Sequence, residues 1–225
     1  MTNRTTTNQT TIKMTEQNLK LDSDEEMYFY WWLKELKERG FIKHIELQPS
    51  PFSLSESLKS SYIEQLKTKE KTSSEELMPK HIYTADVFII WTEYALNKFT
   101  TLIDSKIKKT SSRSMQFIIS QKNDKGDIYS FVEVKPSFDQ NNMTRLAKLN
   151  QKWVYEKHGI YVNIVIPEKH FNKSFTPARY FFTNKSKVAR TIKYKNVITI
   201  DTFFKENNMI EGFENKEDDI LNTLF

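Results

Sequence analysis

The chain has 225 residues, 38% of them hydrophobic and 13% aromatic, which is enough for one domain with its own core. It carries no Cys and 4 His, so disulfides, thiolate nucleophiles and thiolate metal sites are excluded and carboxylates are left to ligate a hard cation such as Mg²⁺. A formal charge of +5 and a pI near 9.1 permit a nucleic-acid partner without requiring one, and no apolar run approaches the ~20 residues of a membrane span.

Residues 1–21 are rich in Thr and Asn with little apolar content, which predicts a flexible tail, and the opening lacks the apolar centre of a secretion signal. Ser23 or Asp24 then stands as N-cap to a helix over residues 25–39, stopped by Gly40, with Phe29, Trp32, Leu33 and Leu36 at helical spacing. Residues 41–47 read as a strand leading into the breaks at Pro49 and Pro51. The polar stretch 53–79 predicts an insert with a short helix at 57–67. IYTADVFIIW, residues 82–91, predicts one core strand interrupted by a single acid, Asp86. The amphipathic, Lys-rich stretch 92–113 predicts an inserted helix. A strand at 115–120, the turn-forming KNDKGD and a strand at 128–135 follow, the last ended by Pro136. A helix over 141–157 stopped by Gly159 and an apolar strand at 160–166 stopped by Pro167 complete a strand, helix, strand crossover. A polar aromatic loop at 170–184, a strand near 196–200, a short helix from Asp201 and an acidic tail at 206–225 close the chain. The order predicts an α/β sandwich with a mixed central sheet, its domain spanning 22–205 with inserts near 53–79 and 92–113.

Glu133 and Lys135 in FVEVKP lie two residues apart on a strand, so both side chains leave one face while Val132 and Val134 enter the opposite packing layer. An isolated pair of this kind is most often a solvated ion pair. An acid inside the apolar run at Asp86 shifts that balance. Converging at one sheet edge, Asp86, Glu133 and Lys135 would make a carboxylate cage for Mg²⁺ with a lysine beside it, a constellation suited to phosphodiester hydrolysis. The cation would neutralise charge growing on the phosphate, and the lysine would orient the attacking water or stabilise the developing charge. On the following helix Arg145, Lys148 and Lys152 recur at i, i+3 and i+7 with Gln151 beside them, a basic stripe that serves either phosphate contact or solvation. Trp153 and Tyr155 read as core or dimer contacts, and His158 and His170 as structural or exposed.

In this order the motifs resemble the PD-(D/E)XK nuclease superfamily, with YTADVFII at 83–90 as the Asp-bearing strand and VEVK at 132–135 as the E-x-K strand. SDEEMYFYWWLKELKERGFIKHIELQPSPFSL at 23–54 is similar to the opening of phage-type members described as Holliday-junction-resolvase-like endonucleases. The resemblance covers roughly residues 22–167. It implies a restriction-endonuclease-like α/β sandwich and an endodeoxyribonuclease dependent on Mg²⁺, with Mn²⁺ able to substitute. Metal ligation would fall to Asp86 and Glu133, the catalytic lysine would be Lys135, and an acid on the first helix would complete the site. Glu25 and Glu26 are about 100° apart on a helix, so only one can face that site. Glu25, one turn before Phe29 and Leu33 on the apolar face, is preferred, with Glu26 as the alternative. Gln151 and Lys152 are candidates to enter the active site from the later helix, with Arg145 and Lys148 on the DNA backbone.

The partner implied is DNA, with branched DNA the first substrate to try, acted on by a symmetric homodimer because cutting two strands needs two sites. The setting implied is phage DNA recombination or processing in the cytoplasm, that of the host where the gene is phage-encoded. The pattern departs from the simplest family arrangement in the long spacer between Asp86 and Glu133, which the helix expected at 92–113 would have to fill. Other readings are a nuclease of the same fold acting on duplex DNA, of restriction, transposition or packaging type, and a non-catalytic DNA-binding protein that keeps the fold.

Overall fold

The computed structural model describes residues 21–105, 118–137, 143–183 and 188–209. Helix α1 (Asp24–Glu38) starts where Ser23 Oγ accepts the Glu26 N–H at 3.2 Å, and it ends at Gly40, whose φ of +74° a side chain would oppose. Strand β1 (Ile42–Leu47) follows, then β2 (Phe52–Ser55), and next the hairpin β3 (Leu58–Gln65) and β4 (Glu70–Met78). Strands β5 (His81–Tyr83), β6 (Val87–Trp91), β7 (Thr100–Leu102), β8 (Ile118–Lys122) and β9 (Ile128–Val134) come next. Helix α2 (Met143–His158), β10 (Val162–Val165) and the helices α3 (Pro167–Phe171) and α4 (Ile200–Glu206) complete the elements.

The central sheet is mixed and runs β1-β6-β9-β8-β7, with β10 also joined to β9. β6 is antiparallel to both β1 and β9, and β8 is antiparallel to β9, whereas β7 with β8 and β10 with β9 are parallel. The period of two divides each strand between two cores. Val87, Ile89 and Trp91 of β6, with Ile128, Val132 and Val134 of β9, pack with α1, Phe171 of α3 and Phe203 and Phe204 of α4. Phe131 and Val162 turn the other way, against Val154 of α2, Leu54 of β2 and Tyr83 of β5. Helices therefore lie on both faces of the sheet. Among the described residues no helix is long and apolar enough to cross a membrane.

Several expectations are corrected. Residues 57–67 are half of the β3/β4 hairpin rather than a helix; Leu58, Tyr62 and Leu66 sit at i, i+4 and i+8, which imitates a helical stripe on a strand that has no core beneath it. Residues 82–91 are two strands, because the backbone bends at residues 84–86 and Asp86 falls just before β6. The helix expected over 92–113 is absent from its described part, which holds a single 3-10 turn (Glu93–Ala95) and β7. Residues 106–113 of that helix, 115–117 of the following strand, the opening tail through residue 20 and the acidic tail from residue 210 lie outside the described residues. No strand forms at 196–199; Ile198 O instead accepts the Thr176 N–H at 2.8 Å, and α4 begins at Ile200.

Trp32 is fully buried, stacked on Phe29 (centroids 5.7 Å apart) and Phe175 (5.5 Å) and met edge-on by Phe99 (5.9 Å), with its Nε1–H donated to Ser174 Oγ at 3.2 Å. Truncation would leave a large void in the main core and remove the donor to Ser174 Oγ. Trp32→Ala is expected to lower stability by about 3–5 kcal/mol, read as a drop in the denaturant midpoint at unchanged slope.

Candidate active site

The ladder between β6 and β9 pairs Val87 with Val132, so one step further Asp86 comes level with Glu133. Alternation puts both carboxylates on the α2 face of the sheet, opposite the face occupied by Val87, Val132 and Val134. Asp86 marks the end of the ladder: its Oδ2 accepts the Val134 N–H at 2.6 Å and its carbonyl accepts the Gln48 N–H at 2.9 Å. Glu133 is 8% exposed and engaged at both oxygens. Its Oε2 accepts the Tyr83 hydroxyl at 2.6 Å, and its Oε1 pairs with Lys135 Nζ at 2.5 Å. Lys135 is held in turn through its backbone N–H, which donates to Val165 O at 2.8 Å.

Of the two acids at the start of α1, Glu26 is the buried one, 7% exposed. Its Oε1 accepts the Ser23 hydroxyl at 2.8 Å and its Oε2 the Asp22 N–H at 3.1 Å, while Ser23 caps the Glu26 N–H in return. This reciprocal arrangement is close to a capping box, so Glu26 already has a structural task at the start of α1. Burial raises its carboxyl above the ordinary value, against the hydrogen bonds from Ser23 and Asp22 and the charge of Lys135. Burial, then the charges of Glu133 and Glu26, push Asp86 up to about 7 against the pull of the Val134 N–H and Lys135. Glu26, Asp86, Glu133 and Lys135 thus form one electrostatic cluster. The Tyr83 hydroxyl is driven far above its ordinary range by burial and by Glu133, so it stays a donor.

Of the two neighbouring acids, Glu26 and not Glu25 interacts with Asp86 and Lys135. Glu25 is half-buried and its charge acts on Tyr28, whereas Glu26 acts on Asp86 and feels Lys135. The apolar stripe through Phe29 and Leu33 does not orient this helix uniquely, because Met27, Tyr28, Trp31 and Trp32 are buried as well. On α2, which packs on the same sheet face as the carboxylates, Arg145, Lys148 and Lys152 are exposed as an outward stripe. Gln151 differs: its Nε2 donates to Val162 O at 2.5 Å and ties the helix to β10. His158 and His170 have structural places, the first with Nε2 3.0 Å from Ser53 O, the second buried against Phe29 and Trp32 and lowered to about 4 by that burial.

Tyr83 was not singled out from the sequence, although it stands three residues before Asp86 in YTAD. A tyrosine at the edge of an apolar run reads as packing, and only the fold shows its hydroxyl aimed at Glu133.

The carboxylates of Glu26, Asp86 and Glu133 offer only oxygens as ligands. That is the chemistry of a hard divalent cation. The residues fit such an ion in type and charge, with Lys135 standing where it pairs Glu133 directly. Among the described residues no group of three or more His, Cys, Asp or Glu is arranged to hold a metal ion. Comparison with family models, with curated proteins and with solved structures finds no match to this chain.

Tyr83→Phe would leave Glu133 Oε2 buried without its donor and is expected to cost about 1–3 kcal/mol in urea unfolding. Asp86 has its folded value raised, so its contribution to stability is complete below about pH 4 and is lost as pH rises through about 7. Asp86→Asn keeps an acceptor for the Val134 N–H and removes the buried charge. It is expected to raise stability by on the order of 1–3 kcal/mol at pH 8 and to bring no such gain at pH 4, measured as paired denaturant curves.

Proposed function

We propose that this protein is a metal-dependent DNA endonuclease with a restriction-endonuclease-like sandwich of the PD-(D/E)XK type. The observation that carries the reading is the meeting of Asp86 and Glu133 on one sheet face with Lys135 paired to Glu133 and Glu26 coupled to both Asp86 and Lys135. Asp86 and Glu133 would hold Mg²⁺ or Mn²⁺, with Glu26 completing the shell. When bound, the cation would supply charge neutralisation at the phosphate and a water of lowered pKa.

The chain's own residues do the rest. Tyr83 fixes one oxygen of Glu133, so the carboxylate keeps a single orientation and its other oxygen faces Lys135. The Lys135 ammonium would hold the attacking water or the charge developing on the phosphate. The exposed stripe of Arg145, Lys148 and Lys152 lies on the same face and suits phosphate contact. Branched DNA, in phage recombination or processing, is the substrate class we assign first, with a homodimer supplying two cuts; duplex DNA is the alternative within the same chemistry.

One observation favours a second reading, a non-catalytic DNA-binding protein that keeps this fold: both oxygens of Glu133 are already engaged by Tyr83 and Lys135. Incubation of the protein with a four-way junction and with plain duplex in Mg²⁺ or Mn²⁺ separates the two. Cleavage that falls at least about a hundredfold in Glu133→Ala and in Lys135→Ala is expected, the scale of losing a group that acts on the transition state. No cleavage of either DNA with either cation would sink the enzyme reading, and equal cleavage of junction and duplex would sink only the branched-DNA assignment.

A further inference from the structure

Charge is distributed very unevenly along this chain. Residues 169–200 contain six Lys, two Arg and no Asp or Glu. All other residues together carry 26 Lys and Arg against 29 Asp and Glu. The whole positive balance of +5 therefore resides in 32 residues, and the remainder would repel a polyanion. Lys185 and Lys187 lie outside the described residues.

This stretch is a built surface although much of it is neither helix nor strand. From residue 191 to 195 exposed and half-buried residues alternate, with Ile192 and Tyr194 packed against the main core and Lys193 and Lys195 exposed. The backbone is pinned where Asn196 N–H donates to Asn172 Oδ1 at 2.9 Å and Thr176 N–H to Ile198 O at 2.8 Å, and the Tyr194 hydroxyl lies 2.7 Å from Thr176 Oγ1. Arg190 is the anchor: its guanidinium lies over the rings of Tyr28 at 4.6 Å and Tyr180 at 4.4 Å, and its Nη2 donates to the Tyr28 hydroxyl at 3.0 Å. Tyr28 is two residues beyond Glu26 on α1, so the strip is fastened to the same helix end that contributes to the carboxylate cluster.

We propose that this strip, presented by Lys193 and Lys195, is the surface that grips the sugar-phosphate backbone of DNA. The inference rests on the nuclease reading for its partner. Two exposed lysines on a pinned backbone offer point charges, which suits a repeating phosphate chain and carries no base readout. Because the body is net negative, the strip supplies the attraction that brings DNA to the carboxylate cluster.

The experiment is fluorescence anisotropy of the full chain with a labelled four-way junction and a labelled duplex in EDTA, across a salt series, so that no cleavage is needed. Lys193→Ala/Lys195→Ala is expected to weaken both complexes about tenfold or more and to make the dependence of log K on log salt shallower by roughly 2. Unchanged melting of this variant keeps the result from being a folding defect. Wild-type affinity and salt slope in the variant overturn the proposal, as does the absence of DNA binding by the wild type. The same holds if only Lys148→Ala/Lys152→Ala on α2 weakens binding, or if the strip variant loses binding to phosphatidylserine vesicles while keeping DNA. DNA binding that depends on the strip without cleavage in Mg²⁺ or Mn²⁺ leaves this inference standing and removes the nuclease reading; Mg²⁺-dependent cleavage that the strip variant performs at unchanged KM does the reverse.

Discussion

Along one edge of β9 the first residues pair with antiparallel β8 and the last with parallel β10, while β6 covers the opposite edge from Ile128 to Val132. Two strands of opposite direction must therefore meet beside one strand, and their own ladders cannot continue into each other. The Asn163 carboxamide fills that junction, accepting the Ile119 N–H at 2.8 Å and donating to Ile119 O at 2.9 Å and Phe131 O at 3.1 Å. Gln121 repeats the device nearby, bonded to Gly159 O and to the Tyr161 N–H. These amides supply hydrogen bonds to backbone groups that the strand ladders leave unpaired at the junction. With β9 locked from both sides, Glu133 at its end has one position, and Asp86 and Lys135 inherit theirs from β6 and from the bond to Val165.

Placing three carboxylates at one sheet end is electrostatically unfavourable, and the surrounding structure offsets it piece by piece. Tyr83 and Lys135 satisfy Glu133, the Val134 N–H serves Asp86, and Ser23 with Asp22 holds Glu26. Each donor is charged or polarised toward the anion, the stronger class of hydrogen bond. Burial and the neighbouring charges of Glu133 and Glu26 still push Asp86 up.

Much of the frame was legible because its signals are local. Caps and stops marked α1 and α2, and dense β-branched and aromatic runs marked β6, β9 and β10. The E-x-K pair and Asp86 were legible for the same reason, since a polar residue in an apolar run demands an explanation. What failed depended on surroundings. Leu58, Tyr62 and Leu66 carry helical spacing into a hairpin, and the strand expected through Asp86 breaks because β5 leaves the central sheet to pair with β2. Periodicity could not decide between Glu25 and Glu26, because their helix is buried nearly all round. Tyr83 and Asn163 were silent because their partners are distant in the chain.

The β3/β4 hairpin separates length from architecture in this molecule. Leu58 pairs with Met78, so the chain leaves the body and returns to it at one place, and the strands between form a two-stranded sheet of their own exposed on both faces. Two open strand edges invite pairing between molecules, and the lysines at 59, 67, 69 and 71 with the glutamates at 64, 70, 75 and 76 guard those edges by charge. A segment tied to the body at one point and protected along its length is free to vary in extent without disturbing the sheet. It makes this the natural port for grafting a tag, a fluorophore or a whole guest domain.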